Sequence, residues 1–281
     1  MRQYNDTTFL ANHNDSNSIM HYGVKGMKWG VRRYQNKDGS LTPAGKIRYA
    51  EVSDKKIRTN SDGSSTIPKG FVFNRVGKQS IDVNDSGALY VSYGKEDAAR
   101  YVKNLGPTLI GNLFGTSAHY VQHISVNNDL KMPSDDQTVS LTIKAVKNNK
   151  DVRGSFKESI YSMTASDDPF GEITDKDIDR ALSNPKSKEA VKLAYSVNSM
   201  LGDPNYASES KKIYDIFREY GYDAIPDIHD RLSGTSETAL IVINPNKLKV
   251  TSSQEITKDV RKAAKEYVKQ LEKLKASELV S

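Results

Sequence analysis

Apolar and polar positions divide the chain into three regimes. Residues 1–20 are rich in Asn, Asp, Ser and Thr; so few apolar side chains cannot offset the entropy of ordering, and the stretch reads as disordered. Between 21 and 66, glycines and cations interrupt every apolar run. Gly23, Gly26 and Gly30 each cost a helix about 1 kcal/mol relative to Ala, and polar Thr59–Thr66 reads as the end of a linker. From Ile67 the pattern turns regular. Gly70–Arg75 and Ala88–Ser92 set aromatic and β-branched residues between turn residues, as strands do. Lys95–Lys103 predicts a helix stopped by Gly106-Pro107, and Ala118–Val126 and Val139–Val146 predict two more strands. Helical patterns follow near 174–183, 186–201 and 208–220, the last closing on Tyr220-Gly221. Strand character returns at Tyr222–Asp227 and Glu237–Ile243, and Asn244-Pro-Asn246 turns into Leu248–Val250. From Ser252 to Leu279 a capping box, Ser252-x-x-Glu255, precedes an apolar stripe of Ile256, Val260, Ala264, Val268, Leu271 and Leu274, predicting an amphipathic helix. Strands on both sides of a helical middle predict an α+β domain. The expected organisation is a disordered start (1–20), a basic Gly/Trp module (21–49), a linker (50–66), the α+β domain (67–251) and a C-terminal helix (252–281).

Composition sharpens this division. Counting Gly and leaving out Tyr, about 37% of the 281 residues are apolar, against roughly 45–50% in an average globular domain, so part of the chain is not core. The net charge is +6, and residues 1–66 hold eleven basic and six acidic side chains, a net of +5. The basic pI therefore describes the N-terminal quarter and leaves the main domain near neutral. Zero Cys excludes disulfides, thiol nucleophiles and thiolate metal sites. The longest apolar run, Ala239–Ile243, is far short of a membrane span, and the start of the chain has no apolar signal segment, so neither a membrane partner nor secretion by a signal peptide is expected. With five His, no His-Glu-x-x-His and His119 and His123 in a strand-like pattern, no metal is expected.

Three patterns carry candidate chemistry, in this order: Arg75 in Phe71-Val-Phe-Asn-Arg-Val-Gly77; Ser92 at the end of Gly87-Ala-Leu-Tyr-Val-Ser, running into a helix; and Gly221-Tyr-Asp-Ala-Ile followed by Thr235-Ser-Glu-Thr-Ala-Leu-Ile-Val-Ile-Asn-Pro-Asn-Lys-Leu-Lys249. Across about 67–251 the sequence resembles the ADP-ribosyltransferase superfamily, in particular its arginine–serine–glutamate toxin-like, phage-associated class. Asp129-Leu-Lys-Met is similar to a segment common between the motifs of that class. The resemblance implies split mixed or antiparallel sheets with helices, and NAD as substrate. Breaking the nicotinamide–ribose bond develops positive charge on the ribose, which a nearby carboxylate stabilises. Glu237 matches that role, Arg75 the guanidinium that holds the dinucleotide, and Ser92 the serine supporting the site. Two positions depart from the class. Val91-Ser92-Tyr93 keeps one hydroxyl of its Ser-Thr-Ser, and Thr235, the acceptor-side candidate, stands where arginine-modifying members carry Glu or Gln.

His21 to Tyr49 resembles a module attached to varied domains in phage and prophage virion-associated proteins. Lys25, Lys28, Trp29, Arg32 and Arg33 interleave cations with aromatic surface, suited to docking on a capsid component or on DNA. The expected function is that of a phage-associated mono-ADP-ribosyltransferase or NAD glycohydrolase, virion-associated or in the host cytoplasm, acting on an unidentified host protein. The alternative is a non-enzymatic virion protein that uses its basic module for docking.

Overall fold

A computed structural model describes residues 53–78, 86–94, 96–108, 117–155 and 173–278, together with Thr42 and Gly45. The alternating apolar runs become strands of two antiparallel sheets. The larger has the order β7-β8-β4-β3-β5-β9 and comprises β3 (Val72–Gly77), β4 (Leu89–Ser92), β5 (Tyr120–Val126), β7 (Ala224–Pro226), β8 (Ala239–Val242) and β9 (Leu248–Glu255). The smaller, β1-β2-β6, comprises β1 (Arg58–Thr59), β2 (Ser65–Ile67) and β6 (Leu130–Met132). The helices are α1 (Asp97–Leu105), α2 (Asp135–Asn148), α3 (Asp175–Ser183), α4 (Lys188–Met200), α5 (Ala207–Glu219), α6 (Ile228–Leu232) and α7 (Lys258–Glu278). The chain is thus a mixed α/β protein of antiparallel sheets and helices. None of the described helices is long and apolar enough to cross a membrane.

Successive side chains on a strand point to opposite faces, and the large sheet uses both. One face meets the small sheet through Ile67, Phe73, Val91, Ile124, Leu130, Leu240 and Val242. The other is covered in two parts. Ile225, Ile241 and Ile243 pack on the apolar sides of α2, α4 and α5, while Val121 packs against α1 and α7 through Val102, Val260, Ala264 and Val268.

Three expectations are corrected. The stretch 50–66, read as a linker, carries β1 and β2 in its described part, paired Arg58 to Thr66 around a turn with Gly63 at φ 81°. Val139–Val146, expected as a strand, lies in α2. Its alternation arises because seven residues of this helix, Thr138 and Thr142 among them, are buried between neighbours on several sides, and its start is a full capping box between Ser134 and Gln137. Ser252–Glu255, expected as a helix cap, continues β9 beside β5, with Ser252 opposite His123 and Glu255 opposite Tyr120. The cap is Thr257, whose Oγ1 accepts from the Val260 amide at 3.3 Å. The predicted stripe below it is buried from Ile256 to Val268, whereas Leu274 is exposed. The start expected to be disordered and, apart from Thr42 and Gly45, the basic module lie outside the described residues.

One buried carboxylate ties the two sheets together. Asp223, just before β7, donates its amide to the Lys131 carbonyl at 2.8 Å, and the Lys131 amide of β6 donates back to Oδ2 at 3.0 Å. Its Oδ1 accepts from Asn244 Nδ2 at 2.6 Å and from Lys247 Nζ at 2.7 Å. The Gly-Tyr-Asp and Asn-Pro-x-Lys motifs are therefore the two halves of a clamp, and Gly221, at φ 76°, ends α5 in the left-handed turn that brings Asp223 into place. Removing one partner of a buried charged pair strands the others. We expect Asp223→Ala to lower the unfolding free energy by about 3 kcal/mol, read from urea denaturation, and Lys247→Ala, whose side chain is partly exposed, to cost less.

Candidate functional site

Between the two helical groups on the second face of the large sheet lies a cavity of about 360 Å³. It opens where β3 and β4 part. These strands share the single register pair Asn74–Ser92, whereas β3 follows β5 over six pairs from Val72 to Gly77. Around this gap the cavity is walled by Tyr101, Asn104 and Leu105 of α1, by Asn198, Ser199 and Gly202 at the end of α4, and by Asp227, His229 and Asp230 at the start of α6.

The predicted site residues fare differently. Ser92 is buried and lines the cavity, and Thr235 lines it as well. Arg75 borders the cavity, but alternation with Asn74 and Val76 sends its side chain to the opposite face of the sheet from Ser92. There Nη1 donates to Oε1 of its cross-strand partner Gln122 at 2.7 Å, and the guanidinium lies over Gly77, where a Cβ would come within 2.5 Å of Nη1. Glu237 is exposed and is not part of the cavity lining. Its neighbours explain why. Ser236 donates to Oδ2 of buried Asp97 at 2.6 Å, Thr238 donates to the same oxygen, and Thr238 Oγ1 accepts from the Gly94 amide at 2.6 Å. The hydroxyls flanking Glu237 thus fasten β8 to the start of α1, and the carboxylate between them faces solvent.

The sequence reading passed over the acidic end of the cavity. Asp227, His229 and Asp230 each offer a donor atom, all within 4.8 Å of one another. Asp227 caps α6, its side chain accepting from the Asp230 amide at 3.0 Å. Asp230 accepts from the Tyr101 hydroxyl at 2.5 Å, and His229 Nδ1 lies 3.4 Å from its Oδ1. The His229 ring stacks on Tyr195 at 4.8 Å between centroids, and its amide donates to Asn198 Oδ1 at 3.0 Å. Burial, reinforced by the charge of Asp230, pushes the Asp227 carboxyl up to about 7. Burial and the same aspartate push the Tyr101 phenol well above its ordinary value, so it stays a neutral donor. The legible signal was Asp-Ile-His-Asp directly after Pro226, a capping aspartate with two titratable residues in the first helical turn. Asp227 and Asp230 are both engaged by protein donors, so the grouping does not by itself call for a metal.

Beyond Asn104 and Thr235 the cavity adjoins a shallower depression of about 180 Å³, bordered by Arg100, Lys103, Ser233 and Gly234. Arg100 pairs with Glu96 at 3.5 Å and Lys103 with Glu272 at 3.0 Å. The chamber and this depression, whose two cations each pair with a glutamate, thus share one edge.

Asp227 makes stability depend on pH. In the unfolded chain its carboxyl ionises near 4, while in the fold it keeps its proton up to about 7. Between those values the folded state holds the extra proton, so its contribution is lost as pH rises through that window. Asp227→Asn, which preserves the helix cap, is expected to flatten the decline of melting temperature between about pH 4 and 7, followed by calorimetry.

A family of unknown function, DUF7211, matches residues 9–36, overlapping the basic Gly/Trp module. No curated protein and no solved structure matches the chain.

Proposed function

We propose that the domain binds NAD across the chamber and its basic rim and cleaves the nicotinamide–ribose bond, passing the ADP-ribosyl group to water or to a host macromolecule. The observation that carries this reading is the shared edge of the two depressions at Asn104 and Thr235. A ligand with a cationic, hydroxyl-bearing head and an anionic diphosphate matches carboxylates on one side and Arg100 and Lys103 on the other. At about 360 and 180 Å³, the two spaces suit a ligand in the roughly 300–1,000 Å³ class of small-molecule sites. Ser92 and Asn198 supply hydroxyl and amide groups for the ribose, and Tyr101 an aromatic edge. In this reading the ADP-ribosyltransferase resemblance holds for the substrate and for Ser92, while Arg75 supports β3 and β5 through Gln122. The basic module, through Lys25, Lys28, Trp29, Arg32 and Arg33, docks the protein on a capsid component or on DNA.

A second reading has an observation of its own. The Arg75 guanidinium and Ser92 lie on opposite faces of the sheet and Glu237 faces solvent, which favours a non-enzymatic virion protein that keeps only the architecture and the docking module. Incubation of the full chain with NAD separates the two. The enzymatic reading expects nicotinamide release, and in Arg100→Ala with Lys103→Ala a KM for NAD raised about tenfold, as loss of charge-assisted phosphate contacts implies. No release, with or without host lysate, leaves the docking protein. In that case a steep fall of DNA affinity with salt indicates phosphate contacts by the module, and a flat response with loss of capsid binding in Trp29→Ala indicates a protein partner.

A further inference from the structure

We propose that Asp230, positioned by Tyr101 and His229, is the catalytic carboxylate of the chamber, the general base for the attacking group, in place of Glu237. The inference rests on the NAD-cleaving reading above and names the residue that performs its chemical step. Position comes first. Asp230 lines the chamber with Ser92 and Thr235, and Glu237 does not. Its side chain is 22% exposed, open to a ligand, whereas Asp227 behind it is only 4% exposed.

Orientation comes second. The Tyr101 hydroxyl on one oxygen and the His229 ring beside the other hold the carboxylate from two elements, α1 and α6. Asp227, just behind, keeps a proton that it would lose in water, because burial and the Asp230 charge oppose its ionisation. Other groups facing it are Arg231, which lowers Asp227, and Tyr90, whose phenol is raised by burial and stays neutral. The chamber of about 360 Å³ leaves room for a ligand beside the Asp230 carboxylate.

For hydrolysis the step balances as follows. Asp230 accepts one proton of the water whose oxygen bonds to C1′ of the ribose. The bond from C1′ to the nicotinamide nitrogen breaks with its electron pair going to that nitrogen, so the positive ring leaves neutral. Transfer to a host hydroxyl differs only in the group that gives up the proton.

The test compares Asp230→Asn, Tyr101→Phe and Glu237→Gln in the full chain, by nicotinamide release and by calorimetric binding of ADP-ribose. Asp230→Asn is expected to lower kcat at least a hundredfold, the lower end of general-base effects, with KM for NAD nearly unchanged. Its affinity for ADP-ribose falls about tenfold, because the product bears at C1′ the hydroxyl that NAD lacks. Tyr101→Phe removes a donor that orients the carboxylate, so kcat falls while KM for NAD stays within about twofold, a split that misfolding alone does not produce. Glu237→Gln leaves all three readouts within about twofold. If wild type cleaves NAD but Glu237→Gln abolishes cleavage or Asp230→Asn preserves it, the assignment to Asp230 falls and the NAD reading stands. A wild-type chain that neither binds ADP-ribose nor releases nicotinamide overturns both.

Discussion

The two sheets depend on the carboxylate of Asp223. It is buried between β6 and β7, accepts from the Lys131 amide while the Asp223 amide donates to the Lys131 carbonyl, and gathers Asn244 and Lys247 from the turn before β9. A carboxylate in that position is tolerated because its lone pairs are taken up by directed donors. The apolar layer between the sheets, from Ile67 and Leu130 to Phe73 and Leu240, is non-directional. The clamp supplies the register that this layer lacks. With β7 anchored, β8 follows antiparallel and delivers Ser236 and Thr238 to Asp97, which in turn fixes the start of α1.

The cavity is a consequence of that framework. Asp97 holds α1 against β8, while β3 stays with β5, so β4 and β3 touch at Asn74 and Ser92 and diverge around them. The short helix α6, capped by Asp227, then turns two carboxylates and an imidazole toward the gap. The Asp227 carboxyl inside resists ionisation, and the rim carries Arg100 and Lys103, each paired with a glutamate. Such an arrangement favours ligands with opposite ends of opposite polarity, and it lies on the helical face of the sheet.

Motifs and geometry diverge here in an instructive way. Gly221-Tyr-Asp and Asn244-Pro-Asn-Lys carry part of the ADP-ribosyltransferase resemblance, and their residues meet in space, but as a structural clamp. Thr235-Ser-Glu-Thr stood out for its glutamate, yet its buried hydroxyls make the specific contacts. Asp227-Ile-His-Asp lacked any signature beyond a capping aspartate, because what distinguishes it is the approach of Tyr101 from α1 and Tyr195 from α4, contacts made across about 130 and about 34 residues of chain. Val139–Val146 misled for a related reason. A helix surrounded by other elements buries residues all round, and its apolar pattern loses the period that would identify it.

Most of the elements follow from local side-chain patterns. Alternation in 70–75, 88–92 and 118–126, the Gly-terminated pattern at 208–220 and the stripe from Ile256 to Val268 are local consequences of side-chain period and turn chemistry, and each is present in the fold. The segregation of charge into residues 1–66 is likewise a property of the sequence. Tertiary structure alone decided which face of the sheet each candidate residue serves. Arg75 and Ser92 are one register step apart on neighbouring strands, and the pleat of a β-sheet sends side chains one step apart to opposite sides. The parity that parts Arg75 from Ser92 and the long-range contacts that gather Tyr101, Asp227 and Asp230 are set by strand pairing and packing, which the order of residues along the chain does not display.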